Sequence, residues 1–147
     1  MHTDTIRLEF VVVTKPNGQA LIPSAPVFLF DDSSGLFTTD GMQPLVPYLL
    51  GAELPSGKRL ANSQKCVRTV DIDEVGDNRH LTMFEMLGNW SLGDYYKDNS
   101  IAWSFEFLTD KKWLGLDPAK IYITVYEGDR QVPKDAESVK IWQDQFD

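Results

Sequence analysis

Ser63 to Val70 (SQKCVRTV), Asp71 to Arg79 (DIDEVGDNR) and His80 to Leu87 (HLTMFEML) form the stretch on which the fold reading turns. The two outer pieces read as strands, rich in β-branched and aromatic residues. The piece between them is acidic, polar and centred on Gly76, so it reads as a loop. In an extended chain, side chains alternate between faces. His80, Thr82, Phe84 and Met86 then share one face, and Leu81, Met83, Glu85 and Leu87 share the other. Glu85 therefore is not a natural acid–base partner of His80. A long polar loop between paired strands suits a ligand edge better than a tight hairpin does.

Four residues of this unit carry chemistry. Arg68, at the end of the first strand, offers a planar fork for phosphate oxygens. Phe84 and Met86, two apart, make a flat apolar shelf that suits a purine. His80, at the loop end, can donate to a phosphate. Two readings stay open on the residues alone. One is a nucleotide-binding edge. The other puts Arg68 in a surface ion pair with Asp71 or Asp73, and Phe84 and Met86 in the core.

Upstream, residues 6–13 are ambiguous. Ile6, Phe10 and Val13 fit a helical face, while Phe10 to Thr14 is rich in β-branched residues. With Lys15-Pro16-Asn17-Gly18 as a turn signal, the local reading is a β-hairpin over about 7–22. Residues 23–35 read as loop, and Leu36 to Thr39 as a short strand. Pro44 and Pro47 limit Met42 to Leu50 to a short helix. Asp98, Asn99 and Ser100 are N-cap types before a helix running from Ile101 to about Lys112. Asp117-Pro118 opens a turn, Ile121 to Tyr126 alternates as a strand, and Pro133 to Gln145 begins a helix with proline. Paired strands with separated helices predict an α+β fold with a largely antiparallel sheet, in a single domain over residues 1–147.

The composition excludes several classes. The chain has 147 residues, 42% hydrophobic and 24% charged, which is a globular mix and not a disordered one. A net charge of −8 makes it a poor autonomous binder of phosphate backbones. No apolar run approaches the ~18 residues of a membrane span. The polar start, Met1 to Asp4, is unlike a signal peptide, so a soluble cytoplasmic protein without membrane contact is expected. Two histidines and one cysteine rule out a His/Cys metal cluster, so no metal site is assigned. There is no phosphate-loop motif, dinucleotide fingerprint or nucleophile elbow. The lone Cys66, beside Lys65 and Arg68, is expected as a half-buried strand residue, with a thiol pKa that those cations could lower.

Longer segments then bear on family. Ala61 to Arg68, Asp73-Glu74-Val75-Gly76 and Thr82 to Lys97 (TMFEMLGNWSLGDYYK) resemble the motif 2 region of alanyl-tRNA synthetases. Leu36 to Met42 resembles that family's motif 1 strand. Leu114 to Pro118 and Ile121 to Asp129 resemble the segment after motif 2. The likeness covers roughly residues 20–145, and its Phe84-Glu85-Met86-Leu87-Gly88-Asn89 run is highly specific. The resemblance implies a class II aminoacyl-tRNA synthetase catalytic core, an antiparallel sheet flanked by helices. It implies a ligase of protein biosynthesis that uses Mg-ATP to turn alanine into alanyl-adenylate, then passes the alanyl group to tRNA. On this pattern Arg68 is the catalytic arginine at the α-phosphate and the reacting carboxylate. Phe84 and Met86 line the adenine and aminoacyl side of the pocket, and His80 reaches the phosphates.

The departures from the pattern are specific. Leu81 stands where the family has a second His, and Met83 where it has Phe. Asp40 replaces a small Ala, which puts a carboxylate near the substrate floor. The motif 2 loop is acidic where it is usually basic. The long N-terminal helix is expected to be lost to the hairpin, and with it the motif 1 dimer. The family's later parts, motif 3 and the tRNA-binding and editing regions, are not seen in these residues, so tRNA is expected as a partner only with further domains. Three readings remain: an ATP-binding front half of an alanine-activating site, a non-catalytic folded module, or a split-enzyme half. An open sheet edge is expected to support self-association or a partner chain.

Overall fold

The computed structural model describes residues 2–28 and 35–146. Residues 29–34 of the expected loop lie outside them. The chain forms two compact units, Met1–Asp94 and Tyr95–Asp147.

The first unit opens with helix α1, Thr3–Thr14, where the local reading expected one arm of a hairpin. The correction has a tertiary cause. Arg7, one turn into the helix, donates through Nε and Nη2 to both carboxylate oxygens of Glu85, at 2.7 and 2.9 Å. The helix buries Val13 and Thr14 and brings that fork within reach of β3. The residues read as a hairpin turn end the helix instead. Gly18 takes a φ of 71°, Gln19 N–H donates to Thr14 O, and the Asn17 amide donates to Val13 O. Glycine past the last turn is a helix stop as well as a hairpin signal.

The chain next forms β1, Ala20–Leu21, and after a long crossover β2, Arg59–Val67, and β3, Met83–Ser91. The sheet order is β1-β2-β3. β1 runs parallel to β2, with Ala20 opposite Leu60. β2 and β3 are antiparallel in unbroken register from Arg59 opposite Ser91 to Val67 opposite Met83. The sheet is thus mixed, with the antiparallel pair as its body, and the fold is α+β as expected. The second strand starts at Met83, so His80 belongs to the loop. Between β1 and β2, Met42 to Leu50 forms a tight turn followed by the short helix α2, Val46–Leu49, consistent with its two prolines. Phe37 makes only an isolated bridge to Phe28, where a short strand was expected.

Opposite faces of the β2–β3 pair are covered by different pieces. Glu85 receives α1 through Arg7, while its neighbour Met86 accepts from Gly41 N–H through Sδ at 3.1 Å. Leu60, Ala61, Gln64 and Cys66 are fully buried in this layer. The buried Gln64 amide is satisfied, accepting from Ala25 N–H and donating to Ala25 O and Lys65 O.

The second unit holds α3, Lys97–Thr109, and α4, Ala136–Phe146. α3 begins earlier than expected, so Asp98, Asn99 and Ser100 fill its first turn and do not cap it. Asp135 caps α4: its Oδ1 accepts from Ser138 N–H at 3.2 Å and its Oδ2 from Ser138 Oγ–H at 2.8 Å. Lys97 Nζ reaches Asp135 and Glu137 at 2.6 and 2.9 Å. Residues 121–126 are not a strand. They keep the alternation, with Ile121, Ile123 and Val125 half-buried and their neighbours exposed. Period two records which face is covered, and a strand needs a hydrogen-bonded neighbour as well. Among the described residues no helix is long and apolar enough to cross a membrane.

Candidate functional site

A groove of about 530 Å³ opens in the first unit between residues 35–46 and the end of β2. Arg68, Asp40, Thr39, Phe37, Met42 and Val67 are among its walls. Its volume lies within the usual range for small-molecule sites.

Arg68 is placed by three contacts. Its backbone N–H donates to Thr82 O at 2.9 Å, closing the base of the loop. Its Nε donates to Thr39 O at 2.9 Å. Its guanidinium carbon sits 5.0 Å from the centre of the Phe84 ring. Among the described residues it makes no ion pair, neither with Asp71 nor with Asp73. The charge is therefore oriented by a neutral carbonyl and an aromatic face, and its terminal nitrogens are left without an acceptor from these residues. A surface arginine placed only for solubility does not need such bracing.

Asp40 does not oppose that charge freely. Its Oδ1 accepts from Met42 N–H and Gln43 N–H at 2.7 and 2.8 Å, opening the turn that follows. The carboxylate that the sequence placed near a substrate floor thus has a backbone task. The Gln43 side chain repeats the theme, its Oε1 accepting from Thr39 N–H at 3.0 Å. The segment 39–43 is a self-braced shelf.

The structure brings Arg68 and Phe84 together, and it joins Met86 to the same shelf through Gly41. Of these four only Arg68 lines the groove itself, and His80 stands apart from the other three. Its backbone N–H donates to Asp77 Oδ1 at 2.7 Å, and its Nδ1 lies 2.8 Å from Asp77 Oδ2. Its Nε2 is 3.4 Å from Glu74. The acidic loop holds the imidazole by both nitrogens. The N–H groups of His80 and Arg79, with the His80 ring, hold the Asp77 carboxyl below its usual range.

Cys66 differs from expectation. It is fully buried, so desolvation pushes its thiol up, Asp40 adds to the rise, and Arg68 opposes it only in part. The nearby cations that suggested a lowered value are outweighed by burial. Three residues missed in the sequence complete the site's frame. Thr39 supplies the carbonyl, Arg7 holds β3 from behind, and Trp90 packs under Gly41. No local motif marks these roles, since each depends on a contact across tens of residues.

The family model for tRNA synthetases class II (A) matches residues 5–147. The chain belongs to that family. Within it, the chain is similar to alanine–tRNA ligases. It is 54% identical to the alanine–tRNA ligase of Treponema denticola over 140 residues, 95% of this chain and 23% of the relative. It is 50% identical to that of Treponema pallidum over 143 residues, 97% of this chain and 24% of the relative. With that of Rubrobacter xylanophilus it shares 43% over 144 residues, 98% of this chain and 16% of the relative. The chain thus spans about a quarter or less of the length of these curated relatives.

Proposed function

We propose that this chain carries the ATP-facing part of an alanine-activating site. The observation that carries the reading is Arg68: a guanidinium braced by Thr39 O and the Phe84 ring, lining a groove, with no carboxylate paired to it among the described residues. In the proposed reaction an alanine carboxylate oxygen attacks the α-phosphorus of ATP. The new O–P bond forms as the bond to the bridging oxygen breaks, and pyrophosphate leaves with that electron pair. Arg68 stabilises the negative charge on the equatorial oxygens, which grows most consequential in the transition state. Phe84 and Met86 act from beside the groove, Phe84 against the Arg68 guanidinium and Met86 against Gly41. His80 takes part only if the loop releases it from Asp77 and Glu74. Mg²⁺ would enter with ATP and would supply charge neutralisation at the phosphates. Transfer of the alanyl group to tRNA, and with it a cytoplasmic role in protein biosynthesis, belongs to the same proposal.

The test is alanine-dependent ATP–pyrophosphate exchange on the purified chain beside Arg68→Ala. Exchange that requires alanine and drops by about 10²–10³-fold in the variant supports the reading. Equal rates in both chains overturn the role of Arg68. ATP binding that needs Arg68, without exchange, favours the split-enzyme half. A second reading concerns partners. β3 is an edge strand of the sheet among the described residues, and such an edge recruits another strand. A concentration-dependent dimer in sedimentation supports this, and a monomer at all concentrations overturns it.

A further inference from the structure

Gly41 and Gly88 are both buried, and the reason is Trp90. A Cβ added at Gly88 would stand 2.5 Å from Trp90 Cζ2, and one at Gly41 would stand 2.7 Å from the same atom. Neither glycine takes a positive φ, so space and not backbone freedom requires glycine at both positions. The indole lies across Gly88 on its own strand and carries Gly41 on its six-membered ring. Its direction is set from within the sheet: Nε1–H donates to Oδ1 of the buried Asn62 at 2.9 Å. Trp90 is not itself a wall of the groove.

The contacts then form one line. Asn62 orients Trp90, and Trp90 with Met86 Sδ sets the height of Gly41 above the sheet. Gly41 belongs to the braced 39–43 shelf, whose Thr39 carbonyl holds Arg68 Nε. We propose that Trp90 is the positioning residue for Arg68, acting through the Gly41 shelf and the Thr39 carbonyl. The inference rests on the ATP-site reading for its use, although the linkage itself is a property of the fold. A larger residue at Gly41 lifts the shelf, and a smaller ring at Trp90 lets it sink. Either way Thr39 O leaves Arg68 Nε, and the fork loses its aim while the sheet keeps its register.

The test uses the full chain with Gly41→Ala and Trp90→Phe, so that a folding failure in one leaves the other. The first readout is the Arg68 Nε–H resonance, assigned by its loss in Arg68→Lys, and its protection from solvent exchange. The second is ATP affinity by calorimetry, measured also in the Arg68→Ala background. We expect the Nε–H protection to fall at least tenfold in either variant while the β2–β3 amides keep theirs. We also expect ATP affinity to fall about tenfold, with no further loss once Arg68 is gone. Unchanged Nε–H protection in both variants overturns the proposal. So does an affinity loss of the same size in the Arg68→Ala background, which means Trp90 acts on the groove independently. Lost protection in a chain whose ATP affinity does not depend on Arg68 keeps the linkage and overturns the ATP-site reading instead.

Discussion

In the β2–β3 pair, Leu60, Ala61, Gln64 and Cys66 lose all solvent exposure, whereas the deepest apolar side chains of the Tyr95–Asp147 unit keep between 5% and 9%. The first region is covered on both faces, by α1 from one side and the 39–43 shelf from the other. In the second, Ile121, Ile123 and Val125 meet Val139, Trp142 and Phe146 around a groove of about 390 Å³. Its firmest ties include polar ones, from Lys97 to Asp135 and Glu137 and from Asp135 to Ser138. Arg68 thus stands at the end of the better-buried region, against Thr39 O and the Phe84 ring. In the Tyr95–Asp147 unit fewer groups are fully buried, and the Lys97 tie at the start of α4 is exposed enough for pH and salt to reach it.

The largest expected effect comes from breaking the better-buried side. Leu60→Ala removes a fully buried side chain, and should cost about 2–5 kcal/mol. Amide exchange read separately in β2–β3 and in α3–α4 checks it. Equal losses in both would mean the two regions do not differ in the way described.

Acid should discriminate in the other direction. Lys97, then the Ser138 hydroxyl and N–H, hold the Asp135 carboxyl at about 2, against an ordinary 3.8. A depressed carboxylate contributes stability that is complete above the ordinary value and disappears as pH falls through the folded one. The α4 amides should therefore lose protection between about pH 4 and pH 2, and Asp135→Asn should remove that component of the pH dependence. An α4 that frays at the same pH in both chains would contradict this.

A smaller effect tests the join between α1 and the sheet. Arg7→Met keeps an apolar stem and removes the fork on Glu85. It should lower the urea midpoint less than Leu60→Ala does, and added salt should shrink the difference between the variant and the parent chain. The smallest signal is chemical. Cys66 is buried and its thiol is pushed up, so a disulfide reagent should label it slowly in the folded chain and fully after denaturation. Rapid labelling of the native protein would show the pair to be less sealed than its burial indicates.

How much of this is legible in the sequence differs element by element. The strand–loop–strand unit, the acidic loop and the approximate place of α4 follow from period, turn residues and proline. Chemistry and resemblance point to Arg68 and Phe84 as site residues, and the structure brings them together. The N-terminal arm misleads because Phe10 to Thr14 has β-branched residues and Gly18 serves a hairpin turn and a helix stop alike. Local propensity cannot weigh Arg7 against Glu85, 78 positions away. The same holds for residues 121–126, whose alternation is real but whose hydrogen-bonding neighbour no local pattern can supply.

The α+β class, the family, the acidic character of the loop and the arginine at the strand's end are all readable in the chain before it folds. These depend on residue types and short-range spacing, which the chain carries wherever it goes. Folding settles that residues 3–14 form a helix, that His80 is held by its own loop, that Cys66 is sealed, and that Trp90 lies between two glycines. Each of those depends on burial or on a fixed hydrogen bond that only the folded chain supplies, and these outweigh local preference.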